Sequence, residues 1–412
     1  MTIPTNGAET AKQFSETNRE RLVDLCAQLV AARSPQPIGD TTAPVAVVKA
    51  FLQENGLEPR IVAATGNKPN LVCTFDGAYP GPHLVLNGHL DTLNPGDEAA
   101  WSVPVFEMGR NAGRLTGLGI GNMKAGSAAL AMAFVGLHRY RSMLAGRATL
   151  TLVADEVVFG PDGAAFLLAD DPGLTGDFLI NAEGPGHMGL AVAEKGLLWV
   201  SIEAQAPAGQ GMLTGLGTSA TARLARLLTA IDAWNEERVA PPKDMEILGE
   251  GAGPHDLRLS VNVGTLQGGS FVSQVATQAV AEVDFRVPPG MTIEEVEARL
   301  QAQAEAIGGI VVRRIKGWNP SWTPIDHPLC RAMLEASAAI RGQPGKPVVR
   351  LPASDAVRWR ARGVGAVCYG PQAELASGLD DYVFENDVVD CVGVYMAAAL
   401  TICAAPGNQT LE

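Results

Sequence analysis

The feature that most constrains this chain is the alternation of short, nearly continuous apolar runs with helical segments. Three such runs lie in the first half: PNLVCTF (69–75), HLVLNGH (83–89) and RATLTLVADE (147–156). Between the last two, MKAGSAALAMAFVGLHRY (123–140) has the composition and length of a helix. Strands that are apolar on both faces and alternate with helices predict an α/β fold with a largely parallel sheet.

Polar side chains follow the apolar runs at the ends of the predicted strands. His89, Glu156 and Glu183 each come directly after such a run. In open α/β sheets, ligands bind at the carboxyl ends of the strands. We therefore expect the functional site at this edge of the sheet.

The pattern changes after Gly196. The strands that follow alternate as if one face were solvated, and the helix beginning after Thr292 has a capping-box start. Strands and helices in this order predict a small α+β, ferredoxin-like unit over 196–318. Residues 1–195 and 319–412 then form one larger domain.

The composition excludes several classes of partner. The 412 residues are 47% hydrophobic and 18% charged, as in globular proteins, and the net charge of −13 argues against nucleic acid or an anionic membrane surface. No run approaches the roughly 18 apolar residues of a membrane span. Six dispersed cysteines without a CxxC pair are typical of a reducing compartment, and the N-terminus lacks a signal peptide's apolar core. We expect a cytoplasmic protein.

One pair of residues predicts a metal site. His89 and Asp91 stand two positions apart past the end of a predicted strand. A carboxylate so placed can accept one ring N–H of the histidine and leave the other nitrogen free for a metal. Further polar groups at strand ends are Asn122 in GLGIGNMKAG, Asp155 and Glu156 in VADEVVFG, and Glu183 in INAEGPGH.

The order of these motifs resembles the M20 family of metal-dependent hydrolases, which includes aminoacylases, desuccinylases and glutamate carboxypeptidases. The resemblance extends over nearly the whole chain, through VDFRVPPG (283–290) in the inserted unit to DDYV (380–383). It implies that 1–195 and 319–412 form the catalytic domain. It also implies that 196–318 is a lid and dimerisation domain, and that the protein is a homodimer or a higher homo-oligomer.

The resemblance also implies roles at a two-metal site. His89 and Glu183 match ligands of the first metal, and Asp91 matches the carboxylate that orients the histidine. Glu156 matches the general base that activates water. Asp155, beside it, is a candidate for orienting the base.

The sequence departs from the family pattern at three positions that match metal ligands and at the position of the lid histidine. The bridging aspartate falls on Asn122, the acidic ligand of the second metal on Val157, and its histidine ligand on Ser377. The lid histidine that polarises the substrate carbonyl falls on Gln210. Asn122 has an alternative interpretation, since asparagine tolerates the left-handed backbone of a glycine-rich turn.

The departures affect one half of the site. We therefore expect a single, loosely held divalent metal, Mn or Zn and alternatively Co, bound by His89, Glu183 and the amide oxygen of Asn122. A conventional two-metal site is the alternative, if His187 or Glu374 replaces a lost ligand.

The expected substrate is a small molecule that bears a carboxylate. Arg286 matches a lid position that holds a substrate carboxylate in parts of the family, and its planar fork suits that task. Gln210 and Asn122 are further candidates for substrate binding. The partner asparagine of the arginine motif falls on Ser273, so the pocket is altered.

Three alternative functions are consistent with these residues. The first is hydrolysis of a C–N bond by metal-activated water. It includes deamination of an activated aromatic amine, such as a nitroanthranilate-like acid, which needs less oxyanion stabilisation than an amide. The second is an ordinary M20 amidohydrolase or peptidase acting on N-acyl amino acids. The third is a non-catalytic binding or assembly module.

Overall fold

The structure is a computed structural model that describes residues 7–251, 253–374 and 378–405. Its internal contacts divide the chain into two compact units. The first comprises the residues up to Val192, Thr323–Pro347 and the residues from Ser354 onwards. The second comprises Ala193–Trp322 and Val348–Ala353.

The secondary structure alternates throughout the chain. The strands are β1 Arg60–Val62, β2 Asn70–Asp76, β3 Tyr79–His89, β4 Gly109–Asn111, β5 Arg114–Thr116, β6 Ala145–Val153, β7 Phe178–Asn181, β8 Leu190–Glu194, β9 Gly196–Gln205, β10 Ser260–Gly268, β11 Gln278–Val287, β12 Ile310–Trp318, β13 Ser321–Trp322, β14 Pro347–Arg350, β15 Gly365–Cys368 and β16 Tyr382–Phe384. The α-helices are α1 Gly7–Thr17, α2 Arg19–Ala31, α3 Thr42–Gln53, α4 Ala125–Arg139, α5 Ala164–Asp170, α6 Ala220–Asp232, α7 Ile247–Gly251, α8 Ile293–Ile307, α9 Pro328–Arg341, α10 Ala356–Arg360 and α11 Glu385–Ile402.

The first unit contains the main sheet, in the order β1-β2-β6-β3-β7-β15-β8. β3 runs parallel to β6 and β7, and β15 runs parallel to β7. The pairs β1–β2, β2–β6 and β8–β15 are antiparallel. The predicted α/β class is confirmed, and the sheet is parallel at its centre but mixed as a whole. A continuous apolar run indicates burial on both faces, which is typical of parallel strands but is shared by buried antiparallel strands of a mixed sheet.

The predicted helix between the second and third runs is α4, whose residues 125–137 are all buried. Contrary to the sequence expectation, one segment, Ile120–Arg139, is long and apolar enough to cross a membrane, but 94% of its most apolar stretch is buried inside the protein. It therefore packs as a core helix of the first unit.

A small antiparallel sheet, in the order β16-β5-β4, lies beside the glycine-rich turn of the first unit. The turn follows β5 directly and leads into α4. The Gly117 N–H donates to the Asp381 carbonyl oxygen at 3.0 Å, and the Gly121 N–H donates to the Asp381 carboxylate at 3.2 Å. These bonds fix the turn that carries Asn122.

The second unit has a four-stranded antiparallel sheet in the order β10-β11-β9-β12. With helices α6 and α8, and apart from the short α7, its elements follow the order β-α-β-β-α-β expected of a ferredoxin-like unit. The predicted capping box is confirmed: the Thr292 side chain accepts from the Glu295 N–H, and the Glu295 carboxylate accepts from the Thr292 N–H. The role of this unit as a lid stays a prediction.

Candidate metal centre

Three neighbouring strands of the main sheet carry the residues of the candidate site. His89 is the last residue of β3, Glu156 lies three residues after β6 and Glu183 lies two residues after β7. Since β6, β3 and β7 are adjacent and parallel, their carboxyl ends meet at one edge. The structure therefore brings together the three side chains that the sequence places at strand ends.

Three oxygen atoms converge on Nε2 of His89. Asn122 Oδ1 lies at 3.3 Å, Glu156 Oε2 at 3.5 Å and Glu183 Oε1 at 3.6 Å. His89, Glu156 and Glu183 are buried, and one ligand atom from each lies within 4.8 Å of the others. We call these three residues and Asn122 the His89 cluster.

The other ring nitrogen of His89 is fixed by Asp91, although differently from the sequence expectation. The nearest partner of Nδ1 is the main-chain carbonyl oxygen of Asp91 at 2.9 Å, and the carboxylate oxygen Oδ1 lies at 3.4 Å. Both partners are acceptors, so Nδ1 carries a proton and Nε2 is the nitrogen available as a ligand.

The carboxylate of Asp91 fixes the loop that carries the predicted base. Its Oδ1 accepts the Glu156 N–H at 3.2 Å, and its Oδ2 accepts the Val157 N–H at 3.1 Å and the Gln36 side-chain amide at 2.8 Å. Asp91 thus positions the histidine and the loop of Glu156 together.

The cluster is strongly coupled electrostatically. Burial opposes charging of the ring, but Glu156, Asp91 and Glu183 raise the pKa of His89 well above its ordinary value. Burial and then the charge of Glu183 raise the pKa of Glu156 well above its ordinary value. Two buried carboxylates therefore depend on a positive charge between them.

The donor set fits a divalent cation. It supplies one imidazole nitrogen, two carboxylates and an amide oxygen, ligands that suit Zn²⁺ and Mn²⁺. Among the described residues, Oε1 of Glu156 is buried without a hydrogen-bond partner. Such an atom is costly unless a ligand or water reaches it. His89, Glu183 and Asn122 would hold the ion, and Glu156 would face it.

Residues 85–401 match the Peptidase family M20/M25/M40. The chain belongs to this family. The match covers well over half of the sequence and confirms the resemblance drawn from the motifs.

The relatives of this M20 protein differ in the acyl group that their names specify. The N-formyl-4-amino-5-aminomethyl-2-methylpyrimidine deformylase of Halalkalibacterium halodurans is 31% identical over 146 residues, covering 35% of this chain and 34% of the relative. The chain thus matches about a third of that relative's length. The succinyl-diaminopimelate desuccinylase of Paracoccus denitrificans is 29% identical over 290 residues, covering 69% of this chain and 72% of the relative.

The solved structures agree on the fold. A dinuclear metal-binding M20 peptidase of Bacillus subtilis, the YXEP protein, superposes with a TM-score of 0.69 at 13% identity, covering 94% of this chain and 99% of that chain. At this identity the likeness establishes the fold alone. The fold and the family expected from the sequence are therefore both confirmed.

In the glycine-rich turn, Asn122 does not have the left-handed backbone that the alternative interpretation requires. Its φ is −126°, outside the left-handed region, whereas Gly119 in the same turn has φ 76°. The left-handed demand of the turn is met by glycine. The alternative is wrong, and the side chain of Asn122 instead reaches His89.

Asp155 has a role different from the one proposed for it. Its Oδ1 lies 2.5 Å from the Lys68 ammonium, and its Oδ2 accepts the Asp162 N–H. Asp155 therefore anchors the loop after β6 away from the cluster, and Asp91 holds the backbone of Glu156.

The sequence reasoning missed Asp355. This carboxylate is buried, its Oδ1 accepts from Arg358 at 3.0 Å, and among the described residues its Oδ2 has no hydrogen-bond partner. Burial, aided by Glu183 and opposed by Arg358 and His89, raises the pKa of Asp355 to about 6. It adds negative potential beside the His89 cluster. The signal was a Ser-Asp pair before α10, which is also typical of a helix cap.

The remaining predicted residues are not members of the His89 cluster. Gln210 bridges Gln274 in the second unit, and Arg286, on β11, pairs with Asp284 at 3.0 Å. Their roles in substrate binding stay predictions. His187 and Glu374 are exposed and belong to no metal-ligating group found among the described residues. Ser377 lies outside the described residues.

Proposed function

We propose that this M20 protein is a metal-dependent hydrolase that cleaves a C–N bond in a small, carboxylate-bearing substrate. The observation that carries the proposal is the convergence of Asn122, Glu156 and Glu183 oxygens on Nε2 of His89. The names of the deformylase and desuccinylase relatives, both of which remove an acyl group, support it.

The residues of the chain divide the chemistry between them. A bound divalent cation would supply Lewis acidity and lower the pKa of a water. Glu156 takes the proton of the attacking water at Oε1, the carboxylate oxygen without a hydrogen-bond partner among the described residues. The protonated Glu156 then returns that proton to the leaving nitrogen. Asp91 keeps this carboxylate in place through the main chain.

We propose that the site holds one loosely bound ion. Its support is the neutral amide of Asn122 and the apolar side chain of Val157, beside the base, where no carboxylate is available. A second ion would need ligands that these two positions do not supply. The single ion would be held loosely, because the neutral amide of Asn122 supplies less negative charge than an aspartate that bridges two ions.

Metal titration tests this stoichiometry. We expect one Mn²⁺ or Zn²⁺ per chain in the wild type, and about tenfold or more tighter binding in Asn122→Asp, because an anionic oxygen replaces a neutral one. Asn262→Asp, at an exposed position of the second unit, is the control for added charge and should bind as the wild type does. Two tightly held ions in the wild type would contradict the proposal.

The finer proposal concerns the bond that is cleaved. Deamination of an activated aromatic amine, such as a nitroanthranilate-like acid, is supported by the neutral residue at position 122. A site with one ion stabilises the developing negative charge less than a site with two, and an activated aromatic ring delocalises that charge itself. Ordinary amide hydrolysis is the alternative, and the names of the relatives favour it. Release of ammonia from the aromatic amine, compared with turnover of N-acyl amino acids, separates the two reactions.

A non-catalytic module is disfavoured by the burial of Glu156. One oxygen of Glu156 has no hydrogen-bond partner among the described residues, and the charge of Glu183 lies close to it. A carboxylate in this position destabilises the fold, and only a role in binding or catalysis would offset that cost. A chain without catalytic function would gain stability by replacing it.

We also propose that the protein is a homodimer in the cytoplasm, paired through the second unit. Two loops there are joined by hydrogen bonds between Gly211 and Ser273 and between Val275 and Gly209. They expose a patch of apolar side chains, the loop patch: Met212, Leu213, Leu216, Phe271 and Val272. Val272 is 96% exposed, which favours a partner at this surface. All six cysteines are buried and none of them forms a disulfide, as in a reducing compartment.

Mass measurement in solution tests the dimer. We expect the wild type at twice the chain mass of 43.0 kDa and the double variant Phe271→Ser, Val272→Ser at the chain mass. Ile38→Ser, at an exposed apolar position of the first unit, should leave the dimer intact. A monomeric wild type, or a dimer that survives the double variant, would rule out the loop patch as the interface.

A further inference from the structure

A cavity of about 220 Å³ in the first unit borders the His89 cluster. Asn122 lines the cavity and also contacts His89, so a molecule in the cavity lies next to the candidate metal centre. The other walls come from the loop after β3, from the glycine-rich turn and from the segment before β16.

The walls are mainly apolar and lack a positive charge. Apolar side chains that line the cavity are Leu93, Pro95, Trp101, Leu118 and Leu379. No lysine, arginine or histidine is among its described lining residues, whereas the carboxylate of Asp381 is. A carboxylate on the ligand would therefore be desolvated without a basic partner, beside Asp381, whose own pKa burial raises to about 7. Both groups disfavour a further negative charge there.

Hydrogen bonds fix two parts of the cavity wall. The Trp101 indole N–H donates to the Pro95 carbonyl oxygen at 2.9 Å, which holds the ring in the wall. Asp380 accepts the Ser102 N–H at 2.7 Å and the Ser102 hydroxyl at 2.5 Å, so the loop after β3 and the segment before β16 are tied together. A ligand that enters pays little to order these walls.

We propose that this cavity is the subsite for an uncharged aromatic ring of the substrate. A volume of about 150 Å³ is known to hold benzene in a protein interior, so this cavity has room for one ring with small substituents. Trp101 offers an aromatic surface against it. The inference rests on the proposed C–N hydrolysis for its meaning as a substrate site. It places the substrate's carboxylate on the far side of the scissile bond, so it favours amide hydrolysis over deamination of a nitroanthranilate-like acid, whose carboxylate is on the ring. It also disfavours substrates acidic at both ends.

The test uses binding, which does not depend on turnover. Crystals of the metal-free protein are soaked with 4-bromoaniline or 4-bromobenzoate, and the anomalous signal of bromine locates each probe. Affinities are measured in solution by titration. We expect bromine density from 4-bromoaniline in the cavity and binding about tenfold or more tighter than that of 4-bromobenzoate.

Two variants separate a subsite from a merely structural wall. Leu379, 54% exposed at the rim, is changed to arginine, which should reverse the preference in favour of 4-bromobenzoate. Trp101→Ala should weaken 4-bromoaniline about tenfold. Ile61→Arg, at a position 41% exposed on β1, should change neither affinity. Bromine found only outside the cavity, or a preference that Leu379→Arg leaves unchanged, would overturn the inference.

Failure of the subsite and failure of the proposed function give different results. Glu156→Gln should bind 4-bromoaniline as the wild type does, whatever happens to turnover. If turnover is independent of Glu156 while the probe still lies in the cavity, the proposed chemistry fails and the subsite stands. If turnover requires Glu156 but the probe never occupies the cavity, the subsite fails and the chemistry stands.

Discussion

Glu156→Gln is expected to lower kcat by about 10³-fold and to leave KM within about threefold, because general acid–base catalysis contributes roughly 10²- to 10⁴-fold. Glutamine keeps the shape of the side chain, and the main-chain N–H of residue 156 still donates to Asp91. Only the proton acceptor at Oε1 is lost. Steady-state kinetics on any turned-over substrate measures the effect.

The same variant carries a second, independent expectation. Burial and the charge of Glu183 raise the pKa of Glu156, so a neutral side chain at this position relieves an unfavourable charge. We expect Glu156→Gln in metal-free protein to melt at a higher temperature than the wild type. Glu374→Gln is the matched control, since Glu374 is exposed and bonded to the Tyr382 hydroxyl. Equal kcat values for wild type and Glu156→Gln would remove Glu156 from the chemistry, and a loss in Glu374→Gln would point to a replaced ligand.

His89→Ala is expected to abolish detectable turnover and to weaken binding of Mn²⁺ or Zn²⁺ by about 100-fold or more. The His89 cluster holds one imidazole among the described residues, and its ring is oriented by the Asp91 carbonyl oxygen. Losing that ligand, or its orientation, typically costs at least 10- to 100-fold in metal affinity. A chelator should reproduce the loss of activity in the wild type, and added metal should reverse it there but not in the variant.

Two further histidine variants give this experiment its contrast. His138→Ala, at a ring stacked edge-on against Phe75, should retain both metal and activity. His187→Ala tests the alternative that an exposed histidine replaces a lost ligand, and we expect wild-type affinity there too. Turnover by His89→Ala that persists in the presence of chelator would exclude the metal-dependent reaction.

The sequence predicts the part of the site that depends on strand ends. His89, Glu156 and Glu183 come together because parallel strands present their carboxyl ends at one edge, which apolar runs and intervening helices already indicate. The mixed character of the sheet was not predictable, because the run that forms β2 is buried in the same way whether it pairs parallel or antiparallel with β6.

Sequence patterns did not predict contacts between residues that are far apart in the chain. Asp355 lies 172 positions after Glu183 in the chain, and a Ser-Asp pair before a short helix has an ordinary interpretation as a cap. The side chain of Gln36 donates to Asp91, which lies 55 positions later in the chain, and no periodicity of the sequence predicts that contact. The roles of Gln210 and Arg286 rest on the family resemblance, and they stay predictions.

The hydrogen bond between the Asp91 carboxylate and the N–H of residue 157 has a consequence for how such a site can change. The bond involves only the main chain of that residue, so it is indifferent to which side chain position 157 carries. Valine and glutamate can therefore be exchanged there without moving the neighbouring proton acceptor. A single substitution at position 157 can therefore add or remove a carboxylate beside the His89 cluster while the carboxylate of Glu156 keeps its place.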